Sequence, residues 1–527
     1  MKDLKIMACP FNGVVGDFQG NLNKIKGYIT QAHLEGADLV VFPELAMLGG
    51  DPKDLAFNSS YMERANQALK DLVESCPVGL GVIIGGLVSV EGLVLETLFF
   101  IADGGLTHTH STVYGLESSP FDQKYFYKNT FRFKGKKILM CFGHELDDSN
   151  FNLWSRAQRK KKPDLVVCVE DHGFANEDHF DACWPSLTDS HLLTVNGYGL
   201  RGTEFSDGTI MIARPNHEPR VISSLVEGLC VVDFDKSPAL GNGPEDMFYG
   251  LDLIYRVIYS AIKDFVVKNG FERVHLGLSG GIDSALVATL AVKALGADNV
   301  IGILMPSQYS SGHSITDAED LAKRLGIKTL MIPIAGAYEE FSSGCGSQFG
   351  VEGLTAENLQ ARIRAVYLMA YSNANRSLLL TTGNKSEVAC GYGTLYGDMC
   401  GSFNPIGDLY KTEVYALSRF INTEEPSQPI PQNTIDKSPS AELSPGQTDQ
   451  DSLPPYKILD LFIEGILMGS SVEELLDVGL APEEARRIYG LITSQHFKRI
   501  QAAPILQLSN TCFGDVDMPL FNKFNPL

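Results

Sequence analysis

Residues 273–296, "RVHLGLSGGIDSALVATLAVKALG", constrain the fold more than any other stretch of the chain. A β-rich apolar run gives way to a glycine turn, and apolar residues then continue at helical spacing as far as Gly296. The runs "NVIGILMP" and "KTLMIPI" repeat the strand signal at the distance of βαβ units, and the preceding "LDLIYRVIYSAIKDFVVKNG" reads as a helix closing at Gly270. Together they predict a doubly wound parallel sheet, whose ligands belong at the carboxyl ends of its strands.

The turn itself, "SGGIDS" (279–284), places backbone amides and two serine hydroxyls at the positive end of the following helix, so an anion belongs there. It lacks the lysine of the G-x-x-x-x-G-K-[ST] loop, and Asp283 within it repels a phosphate unless a divalent cation lies between them. That implies a Mg2+–pyrophosphate ligand. A tight glycine turn with no ligand is the bland alternative; the companion motifs "ENLQARIR", "LTTGNKSEVACGYGTLYGD", "DLYKTEVY", "KSPSAEL" and "FKRIQAAP" weigh against it.

At 527 residues the chain exceeds one hydrophobic core, and two domains are expected. Residues 1–240 alternate short β-rich runs ("ADLVVFPE", "GVIIGGLV", "KKILMCFG", "PDLVVCVE") with helical patterns, the rhythm of a layered α/β fold. Pro, Gly and Asn collect just beyond and mark residues 241–250 as a linker, leaving 251–527 for the doubly wound domain. Two stretches interrupt its order: "SSGCGSQFGVEG" (342–353) and the proline-rich 424–455, each read as a flexible connector or a functional lid. A net charge of -21 excludes a duplex or membrane-surface binder, since both need a basic footprint. Ten cysteines without a CxxC pair read as reduced thiols, and the amino terminus reads as a first strand rather than a signal, so a cytoplasmic location is expected.

With these motifs in order, residues 251–527 resemble the synthetase domain of NAD+ synthases, an N-type ATP pyrophosphatase with a PP-loop (adenine nucleotide α-hydrolase-like) fold. "MPSQYSSGHSITDAEDLAKRLGI" and "SAELSPGQTDQDSLPPY" add to the match. The resemblance implies amidation of nicotinic acid adenine dinucleotide (deamido-NAD): its carboxylate attacks the α-phosphorus of ATP, giving an acyl-adenylate and pyrophosphate, and ammonia displaces AMP. It further implies that Gly277, Leu278, Ser279, Gly280, Gly281, Ile282, Asp283 and Ser284 hold the ATP pyrophosphate, that Thr382 contacts ATP, and that Asp283 and Glu387 carry Mg2+. Lys411 matches a phosphate-facing lysine, which makes Asp283, Glu387 and Lys411 the catalytic set. Asn358, Arg362, Glu387, Asp398 and Lys498 match deamido-NAD contacts, and Ser440 lies in a mobile-loop motif. Asn358 and Arg362 stand one helical turn apart and share a face, whereas Arg364 falls on another.

Residues 1–240 resemble the nitrilase-like (CN hydrolase) glutamine amidotransferase domain of glutamine-dependent NAD+ synthases, through "VVFPELAMLGGDPKDL", "FDQKYF" and "GKKILMCFGHELDD". The implied fold is an αββα sandwich. Such a glutaminase needs a Glu base, a Lys beside the oxyanion and a Cys nucleophile. Glu44 fills the base slot. Counting from "ADGG" puts Thr112 in the lysine slot, and no lysine lies between Lys70 and Lys124; Gly143 falls in the nucleophile slot. Cys141 comes two residues early, about 6.5 to 7 Å along a strand. We expect it to be a buried strand cysteine, and His108, His110 and His144 to be ordinary core or surface histidines rather than a new site.

The expected function is therefore ammonia-dependent NAD+ synthesis with a pseudo-glutaminase half, Mg2+ and ATP as co-substrate, in a homo-oligomer built on a synthetase dimer, with ammonia drawn from solvent or a separate glutaminase. A working glutamine-hydrolysing enzyme and a non-catalytic nucleotide-binding regulator are the competing readings. Against the last stand Asp283, Thr382, Glu387, Lys411 and Lys498, all present in order.

Overall fold

The computed structural model describes every residue except 2, 115–128, 147–162, 175–188, 236–249, 441, 445, 515–518 and 520–527. The chain divides into two compact units, Met1–Phe248 and Tyr249–Leu527. The expected linker and the "FDQKYF" motif lie outside the described residues.

The first unit runs β1 (Ile6–Ala8), α1 (Phe18–Leu34), β2 (Leu39–Val41), α2 (Ser59–Ser75), β3 (Gly81–Val90), β4 (Leu93–Ala102) and β5 (Gly105–Val113). It continues with β6 (Thr130–Phe133), β7 (Lys136–Phe142), β8 (Leu165–Val169) and β9 (His191–Val195). A hairpin of β10 (Tyr198–Arg201) and β11 (Glu204–Asp207) follows, then β12 (Ile210–Ala213), β13 (Arg220–Ser223) and β14 (Cys230–Val232). Two six-stranded sheets result, ordered β14-β1-β2-β3-β4-β5 and β13-β12-β9-β8-β7-β6.

Alternation along the strands explains the layering. Leu39, Val41, Ile83 and Leu98 of the first sheet share one buried core with Ile138, Met140, Val167 and Leu193 of the second. Their neighbours Val40, Val82, Ile84 and Phe99 point the other way, onto Ile25, Ile29 and Leu72 of α1 and α2. Strands covered on both faces read as continuous apolar runs, which is why "LVVF" carries no polar position. Helices, sheet and sheet are thus in place as the sandwich reading requires.

The second unit begins with α3 (Leu251–Lys268), β15 (Arg273–Gly277), α4 (Ile282–Leu295), β16 (Val300–Leu304), α5 (Gly312–Leu325) and β17 (Lys328–Met331). Then come α6 (Ala335–Phe349), α7 (Gly353–Asn375), β18 (Ser377–Leu379), α8 (Lys385–Cys390), α9 (Lys411–Glu424), α10 (Gln432–Asp436) and α11 (Tyr456–Leu467). Its sheet is β17-β16-β15-β18, parallel throughout, with Val274 level with Val300 and with Leu378. The chain steps outward from β15 to β17 and returns on the other side with β18. The order therefore reverses between β15 and β18, and both strand ends open into the crevice there.

One reading needs correction. The connector expected at 342–353 is helical as far as Phe349, and only Gly350, Val351 and Glu352 separate α6 from α7. Composition misled because α6 buries none of its residues, so no apolar stripe marks it. The proline-rich stretch is better described as wall than as linker: it carries α10, a short 3-10 turn at Asp449–Asp451 and several residues of the cavity described next. Among the described residues no helix is long and apolar enough to cross a membrane.

Candidate active site

The crevice beyond β15 and β18 contains a cavity of about 300 Å³. Its floor is the turn between β15 and α4. Gly280 takes a φ of +79°, and a Cβ there would sit 2.2 Å from the Ser314 carbonyl oxygen, so only glycine lets the turn pass under α5. The Ser279 and Ser284 hydroxyls lie 3.1 Å apart, and the Gly281 amide donates to Ser279 Oγ at 3.2 Å. Of the loop residues expected to hold ATP pyrophosphate, all but Gly280 line the cavity; Thr382, Glu387, Asp398, Lys411 and Ser440 line it too.

Charge in the cavity is organised around Lys411, at the start of α9. Its ammonium lies 2.6 Å from Asp283 Oδ2 and 3.3 Å from Glu387 Oε1, with its side chain only 2% exposed. Burial opposes that charge, but the two carboxylates outweigh it and hold the lysine protonated, above its ordinary range. Burial likewise pushes the Glu387 carboxyl up, against the pull of Lys411 and with the push of Asp283. Asn384 fixes the pair: its side-chain carbonyl caps α8 by accepting from the Glu387 amide at 3.1 Å, while its amide donates to Asp283 Oδ1 at 2.9 Å. Two hard oxygen donors already share one cation here, so Asp283 and Glu387 fit a Mg2+ ion that takes the rest of its shell from phosphate and water.

The expected dinucleotide contacts gather nearby, around the loop 391–398. Asn358 Oδ1 accepts from Thr394 Oγ1 at 2.7 Å, Arg362 Nε donates to the Leu395 carbonyl at 3.2 Å, and Lys498 Nζ donates to the Gly391 and Gly393 carbonyls at 2.8 and 3.0 Å. Asp398 ties the same loop by accepting from the Thr394 amide at 2.6 Å. Asp398 lines the cavity, whereas Asn358, Arg362 and Lys498 do not; the arginine of α7 that does is Arg364, anchored through Nε to the Met305 carbonyl at 3.1 Å.

In the first unit the residues expected in the glutaminase slots each meet an acidic neighbour. The Glu44 carboxyl, beyond β2, hydrogen-bonds Glu96 of β4, and Thr112 of β5 stands directly across the strand pair from Glu96. Burial and neighbouring acids push both glutamates up. Gly143 opens the turn after β7, and a Cβ added there would meet Glu170 Cγ at 2.7 Å. The space for a thiol is therefore filled by Glu170. Cys141 is fully buried within β7, donates to the Val167 carbonyl at 3.7 Å, and has its thiol pushed up by burial. His110 pairs with Glu145 at 2.8 Å, His108 stacks on Phe131 and His144 on Phe142.

Comparison with known proteins finds two families along the chain. The NAD synthase family matches residues 254–502 and the carbon-nitrogen hydrolase family residues 6–106. The glutamine-dependent NAD+ synthetase of Thermotoga maritima is 33% identical over 99% of both chains, and that of Synechocystis is 34% identical over 99% of both. The chain belongs to the two-domain NAD+ synthetase family. The structure of the glutamine-dependent NAD+ synthetase of Acinetobacter baumannii in complex with adenosine diphosphate superposes with a TM-score of 0.73 at 27% identity, covering 98% of each chain.

Sequence reasoning missed several residues of the synthetase site. Arg364 escaped because helical spacing sorts faces without saying which one meets the cavity. Asn384 carried a signal, the Asn-x-x-Glu of a capping box, that went unused. Glu442 and Asp449 of this site, like Glu96 and Glu170 of the first unit, act across long sequence separations, for which one sequence offers no cue.

Proposed function

We propose that this chain performs the ATP-dependent conversion of deamido-NAD to NAD+ through an acyl-adenylate, releasing AMP and pyrophosphate. The reading rests on the Asp283–Lys411–Glu387 group set beside the phosphate loop. Negative charge accumulates on the phosphates as the deamido-NAD carboxylate attacks the α-phosphorus, and a preorganised ammonium flanked by hydroxyls and helix-terminal amides is the arrangement that stabilises it. When bound, Mg2+ at Asp283 and Glu387 adds Lewis-acid neutralisation of the same oxygens. Purified protein given ATP, Mg2+, deamido-NAD and an ammonium salt should form NAD+ and AMP in equal amounts. Asp283→Asn should lower turnover by about a hundredfold or more; NAD+ formation that is absent in the parent, or unchanged in the variant, would contradict the assignment.

For the nitrogen source we propose free ammonia, with the first unit a pseudo-glutaminase. Support comes from Thr112 and Gly143 in the slots of the lysine and the nucleophile, from Glu170 filling the space beside Gly143, and from the hydrolase match ending at residue 106, ahead of both slots. The second reading is glutamine hydrolysis, and the names of the relatives favour it over ammonia. Cys141 would then be the nucleophile, which its complete burial opposes. A cytoplasmic homo-oligomer fed with ammonia from solvent or a separate glutaminase completes the proposal.

A further inference from the structure

Lys437, Ser440, Glu442 and Asp449 share the cavity with Ser279 and Asp283, so the described residues of the segment 437–449 form part of its wall. Within this segment Glu442 takes a φ of +49°, a left-handed conformation that a long L side chain adopts only where its surroundings hold it. Its carboxylate supplies the restraint. Oε1 accepts from the Ser314 hydroxyl at 2.6 Å and the Ser311 hydroxyl at 2.9 Å, Oε2 accepts from the Ser311 amide at 3.3 Å, and the Lys437 ammonium lies 3.1 Å from Oε1. Lys437 also donates to the Ser314 hydroxyl.

Two features tie this cluster to the phosphate loop and to α7. The carbonyl of Ser314 abuts Gly280, so the residue that grips Glu442 with its hydroxyl presses on the phosphate loop with its backbone. Buried Gln360 of α7 donates to the Leu443 carbonyl at 3.0 Å, which seats the far side of the segment. Contacts across 128 and 131 residues thus converge on one carboxylate.

We propose that Glu442 is a positioning residue: it clasps residues 437–449 to the first turn of α5, completing the wall of the ATP cavity and setting the affinity for ATP. The activity arm of the test rests on the synthetase reading above; the proteolysis arm does not.

Glu442→Ala, Glu442→Gln and the double variant Ser311→Ala/Ser314→Ala are compared with the parent in the full-length protein. Ammonium-supported NAD+ formation is measured at varied ATP, alongside tryptic cleavage of the Lys437–Ser438 bond. Loss of charge-assisted hydrogen bonds predicts an ATP KM raised about tenfold or more in Glu442→Ala with a smaller change in kcat, and cleavage faster by a similar factor. Glu442→Gln keeps an acceptor for the serines and should recover part of both effects. Should Glu442→Ala not fold, the double variant carries the same expectation with the segment's own sequence intact. Unchanged ATP KM together with unchanged cleavage would overturn the clasp. A parent that makes no NAD+ would refute the synthetase reading, while its cleavage rates still decide the clasp.

Discussion

A lysine shut away from water keeps its charge only where that charge is answered, and Lys411 is answered twice, by Asp283 and Glu387. Glu44 and Glu96 show the reverse case: two enclosed carboxyls meet with a threonine where the lysine slot falls, and both are pushed toward the neutral form. Because their folded-state pKa values are raised, folding takes up protons. The stability this gives is present below the unfolded carboxylate value, about 4.5, and is lost as pH rises toward the raised values. Glu96→Gln cannot ionise and keeps a donor for Glu44. It should flatten the fall in stability between pH 5 and 8 and gain about 1–3 kcal/mol at pH 8. Urea midpoints followed by hydrogen exchange in β4 measure this, and a slope no flatter than the parent's would count against the shared-proton pair. None of it was legible beforehand, since strand register alone brings Thr112 opposite Glu96. The placing of Gly143 in the expected nucleophile slot, by contrast, comes from the spacing of "ILMCFGHEL" alone.

At the scale of elements, short helix starts carry the chemistry. The turn into α4 supplies the phosphate loop, α9 begins with Lys411, and α8 begins with Asn384 and Glu387. Such starts leave backbone amides free to meet anions, and their residues are local in sequence, which is why "SGGIDS" and "GNKSEV" could be read without a structure. What remained hidden was the cross-brace between them. Asn384 caps α8 and also holds Asp283 in α4. Asn384→Ala should cost about 1 kcal/mol of stability as a lost cap, with turnover falling as well. Asn384→Asp restores the cap acceptor but removes the donor to Asp283 and buries a like charge against it, so it should recover at most part of the stability and still lose about tenfold or more in turnover. Turnover at the parent level in Asn384→Asp would remove the brace from the account.

Across the molecule, the second unit is conspicuous for the apolar side chains it leaves open. Every residue of β17 is exposed, α6 buries none, and Phe341, Phe349, Leu354 and Val366 are 54%, 71%, 72% and 66% exposed. An edge strand and exposed apolar side chains of this kind call for cover, which a second copy of the chain would supply in the oligomer proposed above. Light scattering should return at least twice the mass of one chain, and Phe349→Glu with Leu354→Glu should lower it; a monomeric parent would contradict this. The doubly wound sheet and the layered first half were both legible, because apolar periodicity reports which faces are covered. Helix α6 was not, because it buries no residue fully and so shows no apolar stripe.

The account turns on where the amide nitrogen comes from. The deciding measurement is NAD+ formation by the full-length protein from ATP, Mg2+ and deamido-NAD, with ammonium-free glutamine in one reaction and an ammonium salt in another, each repeated with Cys141→Ala. Turnover with ammonium alone, unaltered by Cys141→Ala, is the predicted result. Comparable turnover with glutamine, abolished by Cys141→Ala, would contradict it and restore the first unit as a working glutaminase.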